Sequence, residues 1–188
     1  TRSQLAFMLH LTTSSGLTST QREGRLRPCR TRPAGRIGAA RTVGDCLVLQ
    51  GDGIHVAPNA SATKVRYLLD LADPDRTRDL CVGTVDTWIA WHLSEGAVHA
   101  TDASNAAVTG LLSGDASGWN DKILAALRIP VTALPQVVDS SGVLGAATAL
   151  EGSPPIAALV GDQQASLVGQ GCVHPGMAKI TFGTGGML

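Results

Sequence analysis

The sequence predicts an α/β fold, and three observations carry the prediction. Apolar residues recur at helical spacing in segments such as 61–70 and 83–93, compact apolar runs of strand length stand at 156–160 and 178–182, and the two kinds of segment are mixed along the chain. With 188 residues, 44% of them hydrophobic and 16% charged, the chain is long enough to bury a core of its own. Only 3% of residues are aromatic, so Leu, Val, Ile and Ala fill most of that core around Trp88, Trp91 and Trp119.

The elements follow in order. Residues 21–40 have no helical or strand period and are rich in Arg, Pro, Gly and Ala, which predicts an irregular or disordered segment over 1–40. Composition changes at Arg41, where apolar residues begin to recur at helical spacing, and Gly51, Gly53 and Pro58 then mark a turn. Ser61 is read as the N-cap of a helix of about three turns with Val65, Leu68 and Leu69 on one face. A second helix runs from Gly83 to Leu93, capped by Thr84 or Thr87, with Val85, Trp88, Ile89 and Leu93 along its stripe and Gly96 as its stop. Val98 to Ala103 reads as a short strand, and Trp119 to Leu127 as a third helix that ends before Pro130. Ile156 to Val160, bounded by two prolines and Gly161, reads as a buried strand. Asp162 to Gly169 then reads as a helix, and Ala178 to Phe182 as a strand running into Gly183-Thr-Gly-Gly186.

Composition narrows the partners. Residues 1–43 hold eight Arg and one acid, a net of +7 offset by −7 over the remainder. A basic arm for nucleic acid or anionic lipid would suit that asymmetry, but no aromatic residues interleave with the arginines for base stacking, so no nucleic-acid partner is expected. No apolar run approaches the roughly 18–20 residues that span a bilayer, and Thr1 to Leu11 lacks the pattern of a signal peptide, so no membrane partner is expected. Cys29, Cys46, Cys81 and Cys172 form no C-x-x-C pair, which predicts free thiols and a cytoplasmic location. His10, His55, His92, His99 and His174 make no metal-spaced pair, and no protein metal ligands are assigned.

Two stretches have the make-up of a site. In open α/β sheets ligands gather beyond the carboxyl ends of strands, and Gly161-Asp-Gln-Gln164 stands at such a strand-to-helix step. Asp162 there is either a functional carboxylate or an ordinary helix N-cap, and Gln163 and Gln164 either bind ligand or are solvated. Gly183-Thr-Gly-Gly186 follows a strand with the chemistry of a phosphate cradle, in which backbone N–H groups and the Thr184 hydroxyl meet an anion. A plain glycine turn has the same sequence.

Four fragments in this order, GTVDTWIAWHLSEGAVHATDASNA at 83–106, LLSGDASGWNDKILAALRIPVTALPQVVDSSGVLG at 111–145, GDQQASLVGQGCVHPGMAK at 161–179 and TFGTGG at 181–186, resemble the FGGY carbohydrate kinases from about Arg41 to Leu188. The resemblance implies part of an actin-like ATPase of two ribonuclease H-like α/β domains. Residues 41–170 would form the later, substrate-side part of the first domain, and 171–188 the start of the second, ATP-binding one. It implies ATP-dependent phosphorylation of a small polyol or sugar, with ATP and Mg²⁺ as cofactors. Asp162 would be the general base and would also contact the acceptor. Gln163, Arg22 and Glu23 would bind acceptor hydroxyls, and Gly183, Thr184 and Gly185 would contact phosphate.

The chain departs from the family pattern in places. Asn59 stands at an aromatic substrate-side position, Tyr67 ends the segment Lys64-Val-Arg-Tyr67 where the pattern has Trp, and Met187 replaces a Phe. These changes remove aromatic walls for a glycerol backbone. The family's Asp-x-Gly-Thr-Thr-Ser phosphate loop is not among the 188 residues. A second expectation is therefore a non-catalytic fragment with ligand or partner binding at most, and an exposed cleft face implies self-association.

Overall fold

A computed structural model describes residues 7–8, 40–43, 46–49, 54–56, 60–182 and 186–187. The irregular segment expected over 1–40 lies outside these residues apart from Phe7–Met8 and Ala40. Phe7–Met8 form a strand, β1. Ala40–Val43 (β2), Cys46–Leu49 (β3) and Ile54–Val56 (β4) make an antiparallel three-stranded ladder. This corrects the helical spacing read from Arg41 onward. The short runs Thr42-Val43 and Leu47-Val48 carry β-branched residues whose restricted χ1 suits strands, and a Gly-Asp turn signal separates them.

Helix α1 spans Ser61–Ala72 and buries Val65 and Leu69, as the apolar spacing predicts. Its cap position falls one residue earlier than expected. Ala60 takes the extended cap conformation, so Ser61 is already helical, and its buried hydroxyl lacks a hydrogen-bond partner. Strand β5 (Val82–Gly83) pairs in parallel with β1 and leads through Thr84 into α2 (Val85–Leu93). The buried face of α2 is Thr87, Ala90 and Trp91, whereas Ile89 is exposed and Val85, Trp88 and Leu93 are half-buried. The predicted stripe is therefore rotated. A set of buried threonine hydroxyls at the start of α2 turns Thr87 inward.

Strand β6 (Ala100–Asp102) pairs in parallel with β7 (Gln136–Val138). Between them lie α3 (Ala103–Ala107), α4 (Asp121–Leu127) and a 3-10 turn at Val131–Ala133. The sequence reading started α4 at Trp119, but Asn120 is the cap, accepting from the Lys122 and Ile123 amides at 3.1 and 3.2 Å. Arg128 ends the helix in the left-handed conformation with φ 52°, two residues ahead of Pro130. Strands β8 (Ser141–Ala146) and β9 (Pro155–Ala158) form an antiparallel pair, α5 spans Asp162–Gly169, and β10 (Thr181–Phe182) pairs with β11 (Gly186–Met187).

Two apolar clusters hold this frame. One joins α1, β5 and α4 through residues such as Val65, Leu69, Val82, Leu124 and Leu127; the other joins α2, β6 and β9 through Ala90, Val98, Ala100, Ile156 and Leu159. β9 is less buried than a strand flanked by prolines suggests. Ile156 faces the core while Pro155, Ala157 and Ala158 are exposed; among the described residues β9 pairs with β8 alone. Among the described residues no helix is long and apolar enough to cross a membrane, and Cys172 is a free thiol.

Close packing of β5 on α2 has a measurable consequence. A Cβ placed on Gly83 would sit 2.5 Å from Cγ2 and 2.6 Å from Cβ of Thr87, inside any real contact distance. Gly83→Ala is expected to cost about 1–3 kcal/mol, read as a shift in the urea unfolding midpoint.

Candidate functional site

The site is built where β9 gives way to α5. The chain leaves the strand through Leu159, whose buried side chain anchors it, and turns at Gly161, which takes the extended N-cap conformation with φ −64° and ψ 149°. Asp162 is the first helical residue and is exposed to solvent. It is therefore not the N-cap that local sequence allows. Its Oδ1 instead accepts from the following Gln163 amide at 2.8 Å, close to the positive end of the helix. Among the described residues the second oxygen of this carboxylate has no hydrogen-bond partner.

Gln163 is half-buried and held from the other side. Its Oε1 accepts from Lys179 Nζ at 3.3 Å and from Thr181 Oγ1 at 3.1 Å. With the carbonyl oxygen engaged, the amide nitrogen is oriented to donate, which suits recognition of a hydroxyl oxygen. Thr181 opens β10, so the strand leading to Gly183-Thr-Gly185 touches the residue next to Asp162. Gly183, Thr184, Gly185, Arg22, Glu23 and Asn59 lie outside the described residues, as does the side chain of Met187. Tyr67 is exposed on α1. Of the expected site residues, the structure brings together Asp162 and Gln163.

Sequence reasoning assigned no role to the residues that hold this step in place. Asp102, at the end of β6, is fully buried with an exposure of 0%. Its Oδ2 accepts from Ser104 Oγ at 2.7 Å and from Ser140 Oγ at 2.6 Å, and its Oδ1 accepts from the Asn105 amide at 3.0 Å and from Asn105 Nδ2 at 2.8 Å. Burial alone raises the pKa of this carboxyl, but the hydrogen bonds from Ser140, Ser104 and Asn105 outweigh it and hold the group below the usual carboxylate value. Ser104 Oγ in turn accepts from the Gly161 amide at 2.8 Å. One signal was in the sequence: Asp102 followed by Asn105 is a helix start, and Asp102 is the N-cap of α3.

A second polar set lies behind the site. Asp86 accepts from Thr84 Oγ1 and, at 2.8 Å, from Thr101 Oγ1, while Thr84 Oγ1 lies 3.3 Å from Thr87 Oγ1 and 3.2 Å from Thr101 Oγ1. Because the Thr84 and Thr101 protons both go to Asp86, the proton between Thr84 and Thr87 comes from Thr87. This set joins the start of α2 to β6 and does not reach Asp162. Among the described residues no group of three or more His, Cys, Asp or Glu side chains could hold a metal ion.

Comparison with known proteins agrees with this frame. The family model described as the FGGY family of carbohydrate kinases, N-terminal domain, matches residues 45–169. The glycerol kinase of Alkalilimnicola ehrlichii is 48% identical over 149 residues, which are 76% of this chain and 30% of that protein. That of Aromatoleum aromaticum is 49% identical over 142 residues, 72% of this chain and 29% of that protein. The chain thus spans about three tenths of the length of these relatives. Among solved structures, a Plasmodium falciparum glycerol kinase with ADP superposes with a TM-score of 0.61 at 27% identity, covering 71% of this chain and 28% of the other. A Brucella ovis protein described as a xyloylose kinase gives 0.59 at 26% identity, with 70% and 28% covered. The fold is the α/β fold of the actin-like ATPases, of which the chain covers part, and the chain belongs to the FGGY family of carbohydrate kinases.

Proposed function

We propose that the chain is the part of an ATP-dependent polyol or sugar kinase that receives the acceptor and takes up its proton. The observation that carries this reading is the exposed Asp162 carboxylate at the start of α5, beside a Gln163 whose amide is oriented from behind by Lys179 and Thr181. Phosphoryl transfer asks a protein mainly for positioning and charge control. Gln163 donates to one acceptor oxygen and aligns it. Asp162 receives the proton of the neighbouring hydroxyl as that oxygen bonds to the γ-phosphorus and the bond to the β–γ bridging oxygen breaks, releasing ADP.

ATP would supply the phosphoryl group and Mg²⁺ would offset the charge of its phosphates; the exposed Asp162 carboxylate would hold that ion through a water. Gly183, Thr184 and Gly185 would contact the phosphates, and Arg22 and Glu23 further acceptor hydroxyls. We assign residues 41–170 to the first domain of the kinase and 171–188 to the start of the second. The family model and the relatives named glycerol kinase support this reading.

The acceptor is found by incubating the chain with Mg-ATP and glycerol, erythritol, xylulose, ribulose or gluconate in turn and reading the phosphorylated product by mass spectrometry. Product with one acceptor is expected and names the substrate. Absence of product with every acceptor would make this polypeptide a non-catalytic part of a kinase.

A further inference from the structure

We propose that Ser104 is a positioning residue for the phosphoryl-transfer site, linking the buried Asp102 carboxylate to the Gly161 amide and so fixing the step on which Asp162 stands. The inference rests on the reading of Asp162 above. The direction of each hydrogen bond is settled by chemistry. An ionised carboxylate only accepts, so the single Ser104 proton goes to Asp102 at 2.7 Å, and a lone pair of the same oxygen takes the Gly161 N–H at 2.8 Å.

Gly161 needs that acceptor. It is buried, and as the N-cap residue its N–H falls outside the α5 ladder, so without Ser104 a backbone donor would be left unpaired away from water. The approach is close: a Cβ on Gly161 would lie 3.2 Å from Ser104 Oγ, which would have to give by a few tenths of an ångström, and 2.6 Å from Oε1 at the flexible end of the exposed Gln164. Asp102 grips the same segment a second time, because Ser140, which donates to it, accepts from the Leu159 amide through its carbonyl at 3.1 Å. The residues on either side of Val160 are thus tied to one buried carboxylate, immediately before the catalytic position.

The test is amide hydrogen exchange and carboxyl ¹³C NMR on the whole chain. In the unmodified protein the Gly161 amide is expected to be protected; exchange there at the open-chain rate would overturn the proposal without any variant. Ser104→Ala should speed Gly161 exchange by about tenfold or more and move the Asp162 carboxyl resonance, with the β6 amides unchanged. Ser104→Thr, which keeps the hydroxyl, should restore both signals. Unchanged Gly161 exchange in Ser104→Ala, or no recovery in Ser104→Thr, would contradict the role. Asp162→Asn should leave Gly161 protection as in the parent. If that variant keeps full turnover while the exchange results hold, the base assignment fails and the Ser104 anchor stands.

Discussion

Asp102→Ala is expected to destabilise the chain by about 2–4 kcal/mol, among the largest effects of any single substitution here. The figure combines the loss of an N-cap, roughly 0.5–2 kcal/mol, with the loss of charge-assisted hydrogen bonds, roughly 1.5–3 kcal/mol each and not additive. Asp102 is fully buried, and the four hydrogen bonds it accepts come from Ser104 and Asn105 on α3 and from Ser140 in the turn before β8. Removing the carboxylate leaves these donors to find water or nothing. The effect depends on pH with a definite sign. The folded-state pKa lies below the unfolded value of about 3.9, so the stabilisation is fully present above that value and is lost as pH falls through the folded pKa. Urea unfolding of the parent and Asp102→Asn should therefore differ at pH 7 and converge as pH is taken below about 4. A gap that persists or widens in acid would mean that the carboxylate is not what stabilises this junction.

The contrast between Asp162 and Asp102 shows what sequence could disclose. Asp162 stands in a local pattern, an apolar run followed by Gly-Asp-Gln-Gln, and such a pattern can be read because strand, turn and helix are neighbours in the chain. Asp102 acts through Ser140, 38 residues on, and through Ser104 to Gly161, 57 residues beyond that serine. No spacing rule links such positions; topology brings them together when β6, β7 and β9 converge. The helices were legible for the same reason as Asp162, since the apolar spacing of α1 and the Asn120 cap of α4 are local signals. The rotated face of α2 was not, because the inward turn of Thr87 is decided by its hydroxyl partner Thr84, itself held by Asp86, and not by hydropathy. The strands β2 and β3 were missed because four-residue segments are too short for helix and strand spacing to be told apart, and length has to decide.

The other large effect falls on catalysis. Asp162→Asn is expected to lower turnover by about 10²–10⁴-fold, the usual contribution of a general base. The substitution is nearly isosteric, and its Oδ1 can still accept from the Gln163 amide, so the start of α5 should persist and stability should stay within about 0.5 kcal/mol of the parent. What the amide cannot do is receive a proton from the attacking hydroxyl. The most direct test is transfer of labelled γ-phosphate from ATP to the acceptor, run side by side with the parent and Asp162→Asn at matched folded protein. The account predicts label in the acceptor with the parent and a rate lower by about two orders of magnitude or more in the variant. Equal rates in the two proteins would contradict Asp162 as the base.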